Sequence, residues 1–144
     1  MNIVILGCGR VGATLAIQMQ KAGHTVTIID SSNDAFQRLD PEFRGEKILG
    51  NGVDEEILRR AGIERADAFA AITNGDNRNI MASQIAKETF HVEKVVCRIY
   101  DPLREQTYRG LGLETYCPTT IGANMLFAAL DGGKEYKAAP KGRG

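Results

Sequence analysis

The chain opens with an apolar run, Asn2 to Leu6, that leads directly into Gly7-Cys8-Gly9-Arg10-Val11-Gly12. Behind it Val11, Leu15, Met19 and Ala22 recur at spacings of four and three, one face of a helix, with Gly23 as the stop. A G-x-G-x-x-G between a strand and a helix constrains this chain more than any other segment. Gly7 permits a tight turn, Gly9 lets backbone approach a pyrophosphate, and Gly12 allows close packing of helix on strand. The helix N-terminus adds unpaired N–H groups and the positive end of a dipole. The next run, Thr25 to Ile29, is β-branched throughout and is closed by Asp30, 18 positions after Gly12. A carboxylate there accepts both hydroxyls of a ribose and repels a 2′-phosphate. Glycines also serve ordinary turns, but the flanking strand, helix and acid favour an adenine-nucleotide or dinucleotide site. NADP is disfavoured.

The same rhythm continues. Lys47 to Leu49, Ala68 to Ile72, Val95 to Ile99 and Glu114 to Cys117 read as further strands. Between them lie a short helix over Asp34 to Leu39 and a helix capped by Asp54 that runs through Arg60, with Gly62 beyond its end. A third helix carries Met81, Ile85 and Thr89, a fourth starts at Asp101-Pro102 and ends near Gly110, and a last one covers Ile121 to Leu130. Strands alternating with helices make βαβ units. The expected fold is α/β: a Rossmann-like doubly wound parallel sheet of order 3-2-1-4-5-6, helices on both faces, with the glycine loop at its switch point. At 144 residues with no internal linker or repeat, the chain is expected to form one domain over 1–130. The end, residues 131–144, is basic and lacks a core pattern, and is expected to be a flexible tail.

Composition narrows the function classes. Eighteen basic and eighteen acidic side chains cancel, which argues against a nucleic-acid-coating protein. No stretch approaches the ~20 apolar residues of a membrane span, and the start lacks a basic signal-peptide region, so a cytoplasmic protein is expected. Cys8, Cys97 and Cys117 form no C-x-x-C and are expected to be reduced thiols. Cys8 reads either as a small residue tolerated inside the loop or as a thiol of lowered pKa near a helix N-terminus, a redox sensor. His24 and His91 fall in turns on the edge opposite the strands' carboxyl ends, and with three scattered cysteines they make no metal site. No tyrosine has a lysine four positions on, and no second half remains for a substrate. Catalytic residues are therefore not expected. A ligand sensor is the leading class, and a NAD-dependent oxidoreductase fragment or a stand-alone nucleotide or redox sensor is the alternative.

The final helix adds an expectation about assembly. IGANMLFAAL is apolar around most of its circumference, whereas a helix lying on a sheet needs a single stripe. The surplus at Met125, Leu126, Phe127 and Leu130 calls for a cover, and a two-fold homodimer is the expected minimum.

GCGRVG, the strand-ending Asp30, the run GNGVDEEILRRAGIERADAFAAITNGDNRN and VVCRIYDP together resemble the N-terminal nucleotide-binding lobe of Trk and Ktr potassium-uptake regulators. These lobes are the KTN, RCK or TrkA-N domains. The resemblance covers Met1 to about Leu130. It implies a lobe that binds NAD(H) or ATP/ADP, catalyses nothing, pairs through a helix after the sixth strand, and joins a cytoplasmic ring acting on a membrane potassium-translocating subunit. Carried over by position, Gly7, Gly9, Val11 and Gly12 would hold phosphates, with Asp30 and Ser31 at the ribose. Arg10 would reach a phosphate of its own or of a neighbouring subunit's nucleotide. Asn51, with Gly52, stands where the family often has Asp beside the adenine, which blurs base preference. Thr73 and Asn74 would lie over the ligand crevice, and Arg98 would meet a phosphate or pair with an acid. Asp76 and Asn79 complete the family's T-x-x-D-x-x-N pattern, and read without the family they are caps of the following helix.

Overall fold

The computed structural model describes residues 1–135 and 137. Residues 136 and 138–144, most of the tail expected to be flexible, lie outside the described residues. Six strands form one sheet: β1 (Asn2–Leu6), β2 (Thr25–Asp30), β3 (Glu46–Leu49), β4 (Ala68–Ala71), β5 (Lys94–Arg98) and β6 (Glu114–Tyr116). Their order is β3-β2-β1-β4-β5-β6 and every pairing is parallel. The α/β expectation, strand order included, is met. In the central strand Ile3 and Ile5 enter one core while Val4 and Leu6 enter the other, so an uninterrupted apolar run is what a doubly covered strand requires.

Helix α1 (Arg10–Lys21) covers one face together with a 3₁₀ segment, Asn33–Arg38. Helices α2 (Glu55–Arg60) and α3 (Asp76–Gln84) cover the other, and α3 runs on through a π-helical turn, Ile85–Thr89. The cap expectations for α2 and for α4 (Pro102–Gly110) hold. Asp54 accepts the amide of Glu56 and Asp101 that of Leu103, each at its helix start.

The faces of two helices differ from the apolar stripes read in the sequence. In α1 the buried positions are Gly12, Ala13 and Ala16, while Val11 is exposed and Leu15 and Met19 pack from the flanks. In α3 they are Asn79, Ile80, Ala82 and Ser83, and Met81 is exposed. The reason is the same in both. Small side chains let a helix axis come close to the sheet, so the closest line of contact is the small-residue line and the bulky residues straddle it.

Helix α5 (Pro118–Leu130) has no buried residue, and Met125, Leu126 and Leu130 are 69%, 67% and 88% exposed. Most of its apolar surface stays exposed among the described residues. No helix among the described residues is long and apolar enough to cross a membrane.

Candidate functional site

The strand order reverses between β1 and β4, and there the carboxyl ends of the strands open into a cleft of about 710 Å³. Gly7 turns the chain out of β1 at φ +112°, which an L side chain rarely adopts, and a Cβ there would lie 2.8 Å from the carbonyl oxygen of Ile72. A Cβ on Gly12 would lie 1.9 Å from the carbonyl oxygen of Gly7, so α1 sits on the loop at a distance only glycine permits. Gly9 is different. A Cβ on it would meet nothing within 4 Å. What that glycine keeps clear is cleft space.

The first helical hydrogen bond of α1 runs from the Ala13 amide to the Gly9 carbonyl. The amides of Gly9, Arg10, Val11 and Gly12 have no acceptor among the described residues. Helix starts leave such donors, and anions satisfy them. Asp30 faces this loop from the end of β2. Its carboxylate accepts the Cys8 amide at 2.8 Å and the Ser32 amide at 2.9 Å, one on each oxygen. It therefore holds the glycine loop in shape, and each oxygen retains a lone pair. Ser31, Asn51 and Gly52 line the same end of the cleft. Asn51 is tied into its own turn through the Val53 amide, and Gly52 packs where a Cβ would strike Leu6 at 2.2 Å.

The opposite end is built around Asn79, which is fully buried. Its Oδ1 accepts the Thr73 amide at 2.9 Å and the Thr73 hydroxyl at 2.6 Å. Its Nδ2 donates to the carbonyls of Thr73 and Arg98, both at 2.9 Å. Asn79 thus clips the end of β4 to the end of β5. Arg98 is 7% exposed, donates from Nη2 to the Thr73 carbonyl at 2.8 Å, and lies over the Tyr100 ring at 4.8 Å. Its Nε is buried with no acceptor. Asp76 accepts the amides of Tyr100 and Asp101, bracing the turn after β5. Neither Asp76 nor Asn79 caps α3, whose N-cap is Gly75 without a side-chain bond. The local reading as caps is corrected, because both side chains point to the neighbouring strand end instead.

The structure brings Gly7, Gly9, Arg10, Val11, Asp30, Ser31, Asn51, Gly52, Thr73, Asn74 and Arg98 to one cleft wall. Gly12 is not on that wall; its part is the packing beneath the loop. The sequence reading missed Arg38, Arg78 and Tyr100, which also line the cleft. Arg78 and Tyr100 were findable, since each follows closely after a strand's carboxyl end. Arg38 was not, because only the path of the 3₁₀ segment returns it to the loop, where it donates to the Cys8 carbonyl at 3.4 Å. The Cys8 thiol is fully buried, donates to the Ala35 carbonyl, and has its pKa pushed up by burial and then by Asp30. That direction is opposite to the lowered pKa weighed from the sequence, and burial favours the small-residue reading of this position. Among the described residues no cluster of His, Cys, Asp or Glu is placed to hold a metal.

A Rossmann cleft of this kind is common to many proteins, and sequence comparison decides among them. The TrkA-N domain profile matches residues 3–117. The chain belongs to the TrkA-N family. This TrkA-N domain is 48% identical over 130 residues to the Trk system potassium uptake protein TrkA of Streptomyces coelicolor, covering 90% of this chain and 58% of that protein. It is 34% identical over 136 residues to the TrkA homolog of Pyrococcus horikoshii, covering 90% of this chain and 60% of that protein. The chain thus spans less than two-thirds of these relatives. Among solved structures, the AMP-bound Kef CTD of Shewanella denitrificans superposes with a TM-score of 0.78 at 20% identity, over 93% of this chain and 83% of that one. The GsuK channel bound to NAD superposes at 0.76 and 23% identity, over 90% and 23%. GsuK bound to ADP superposes at 0.77 and 23%, over 92% and 34%. Such likenesses establish that this TrkA-N domain has the fold of its neighbours.

Proposed function

We propose that this TrkA-N domain is the nucleotide-sensing lobe of a Trk-type potassium-uptake regulator, working in the cytoplasm without catalysis. The observation that carries the ligand reading is the pairing of free loop amides with Asp30 across one cleft. The unbonded amides of Gly9 to Gly12 suit phosphate, and the lone pairs left on Asp30 suit a ribose diol. An adenine nucleotide, NAD(H) or ATP/ADP, presents both groups at once. The potassium reading is supported by the names of the curated relatives, including the one 48% identical.

A nucleotide here would act by position. Asp30 already shapes the loop through the Cys8 amide, so a ribose on its free lone pairs would meet a loop held ready. Thr73, Asn79 and Arg98 join two strand ends on the far side, so a ligand spanning the cleft would bridge β2 to β5. The output surface in this reading is the bare α5, through which a homodimer or larger ring forms and contacts a membrane potassium-translocating subunit. Residues 1–130 are the working domain in this proposal.

Calorimetry against NAD, NADH, ATP, ADP and NADP tests the ligand reading. At least one of the first four should bind and NADP should bind more weakly. NADP binding as well as the best of them would overturn the role given to Asp30. Asp30→Ala removes charge-assisted bonds worth about 1.5–3 kcal/mol each, so it should weaken binding more than tenfold. Co-expression with a Trk-type potassium-translocating membrane subunit should recruit the chain to membranes, and failure to do so would overturn the potassium reading.

A further inference from the structure

A second cavity, of about 130 Å³, opens near the amino ends of the strands, away from the cleft. On the face that α2 covers, β1, β2 and β3 change character along their length. The positions toward the cleft, Leu6, Ile29 and Ile48, are apolar and pack in the core beneath α2. The positions toward the amino ends are Asn2, Thr25, Thr27 and Glu46, which the parallel register sets side by side. Alternate residues share a face, so these four lie on the same side of the sheet as Val4. Helix α2 has six residues, and its end at Arg60 leaves a gap over this part of the sheet. Val4 is the floor of that gap.

Opposite charges line the gap without meeting. Arg60 and Arg65 stand on the helical side, and the Arg65 Nη2 lies 3.9 Å from where a Cβ of Gly62 would be. Glu46 stands on the sheet side, at the start of β3. None of the three forms an ion pair or a side-chain hydrogen bond among the described residues. Nearby, by contrast, Arg59 pairs with both Glu55 and Glu64. The segment carrying Arg65 is held in place, since Asn2 donates from Nδ2 to the Arg65 carbonyl and from its amide to Asp67. The Thr25 and Thr27 hydroxyls are also left without a partner among the described residues. Polar groups that converge on a cavity unpaired are what a ligand site offers. A plain anion would suit the arginines and be repelled by Glu46, and a plain cation would meet the reverse. A molecule carrying both a carboxylate and an ammonium uses all three, with the carboxylate on the guanidinium forks. The volume corresponds to about four waters, which glycine or alanine fills and an aromatic amino acid exceeds.

We infer that this cavity is a binding site for a small zwitterionic amino acid, its carboxylate on Arg60 and Arg65 and its ammonium on Glu46. The site does not depend on the nucleotide reading of the cleft. It lies about 13 Å from the glycine loop, the rise of the residues from Asn2 to Leu6. The two sites nevertheless share strands: β1 runs from Asn2 to the loop, and β2 from Thr25 to Asp30. The domain thereby has a second ligand input on the same sheet.

The test is amide NMR titration of the 144-residue chain with glycine, alanine, phenylalanine, acetate, methylammonium and inorganic phosphate at fixed ionic strength. Glycine and alanine should shift the amides of Thr25, Thr27 and Gly62 while leaving those of Gly9 to Gly12 in place. They should bind at least fivefold tighter than acetate or methylammonium, and phenylalanine should not bind. Glu46→Gln and Arg65→Gln alter exposed side chains, so the melting temperature should hold while each weakens glycine at least fivefold. Glu46→Gln should at the same time tighten acetate, because the repelling carboxylate is gone. Acetate or phosphate binding as tightly as glycine marks a plain anion site and overturns the inference. Glycine binding that survives both substitutions, or no shift at these amides in excess glycine, overturns it as well.

Discussion

Replacing Asn79 with alanine tests how the two halves of the cleft are joined. Four hydrogen bonds disappear, but two of the groups they served keep another partner. The Thr73 carbonyl still accepts from Arg98, and the Thr73 hydroxyl still reaches the Gly75 carbonyl at 3.4 Å. The Thr73 amide and the Arg98 carbonyl lose their only good partners. Each orphaned group costs about 1–3 kcal/mol, so Asn79→Ala should destabilise the domain by about 2–6 kcal/mol. Against the roughly 5–15 kcal/mol of a typical domain this is a large share. For a chain of this size the melting temperature should fall by about 7–20 °C. The assay is circular dichroism melting, with Asn77→Ala on the exposed side of the same turn as control. Asn79→Asp preserves the volume and removes both donors. A loss comparable to that of alanine assigns the effect to the hydrogen bonds and not to the cavity. A melting temperature of Asn79→Ala within about 3 °C of wild type would refute the reasoning.

Other expectations follow from single features. Gly12→Ala places a methyl against the Gly7 backbone, so helix or loop must move; overpacking of that kind costs about 1–3 kcal/mol or more. Both a lower urea midpoint and weaker nucleotide binding should be seen, and unchanged binding would remove the case for close packing. Light scattering at micromolar concentration should find at least a homodimer that Phe127→Asp dissociates; a monodisperse wild-type monomer would contradict this. Burial raises the thiol pKa values of Cys8 and Cys97 above their ordinary 9.0, so the folded state holds those protons to higher pH than the unfolded state. Stability from this source is therefore complete below about pH 9 and falls as pH rises beyond it. Urea midpoints at pH 8 and 10 measure the fall, and iodoacetamide at pH 8 should label Cys8 only after unfolding.

The sheet was legible because its information is local. Each strand is a short apolar or β-branched run closed by a turn signal, and the observed ends lie within a residue of those read from sequence, as with Thr25–Asp30 and Glu46–Leu49. Helix faces were less legible, because hydrophobic spacing weights bulky residues while Ala13, Ala16 and Ala82 make the closest approach. Asn79 and Ser83 read as solvent-facing by their chemistry. Asn79 is buried because β4 and β5 end beside it with backbone groups to satisfy, a fact about neighbours distant in sequence, and Ser83 lies on the same buried line of α3. The glycine loop and Asp30 were legible as a pair through their spacing. The missing acceptor at the Arg98 Nε was not, since it is a property of everything around that side chain.

The cleft wall is assembled from the ends of five strands, with residues from Leu6 to Tyr100 meeting in one place. No short fragment of the chain contains it, since its lining residues are spread over more than ninety positions and five strands must pair to bring them together. Occupancy is therefore tied to global unfolding and not to fraying at an edge. A ligand present at a hundred times its dissociation constant would raise the unfolding free energy by about 2.7 kcal/mol, and the entire sheet would gain it together. Amide hydrogen exchange should register that gain as uniform slowing in β1, β2, β4 and β5, even at amides on the edge far from the bound molecule. In such a domain the resident nucleotide pool sets how long the protein survives proteolysis as well as what it signals.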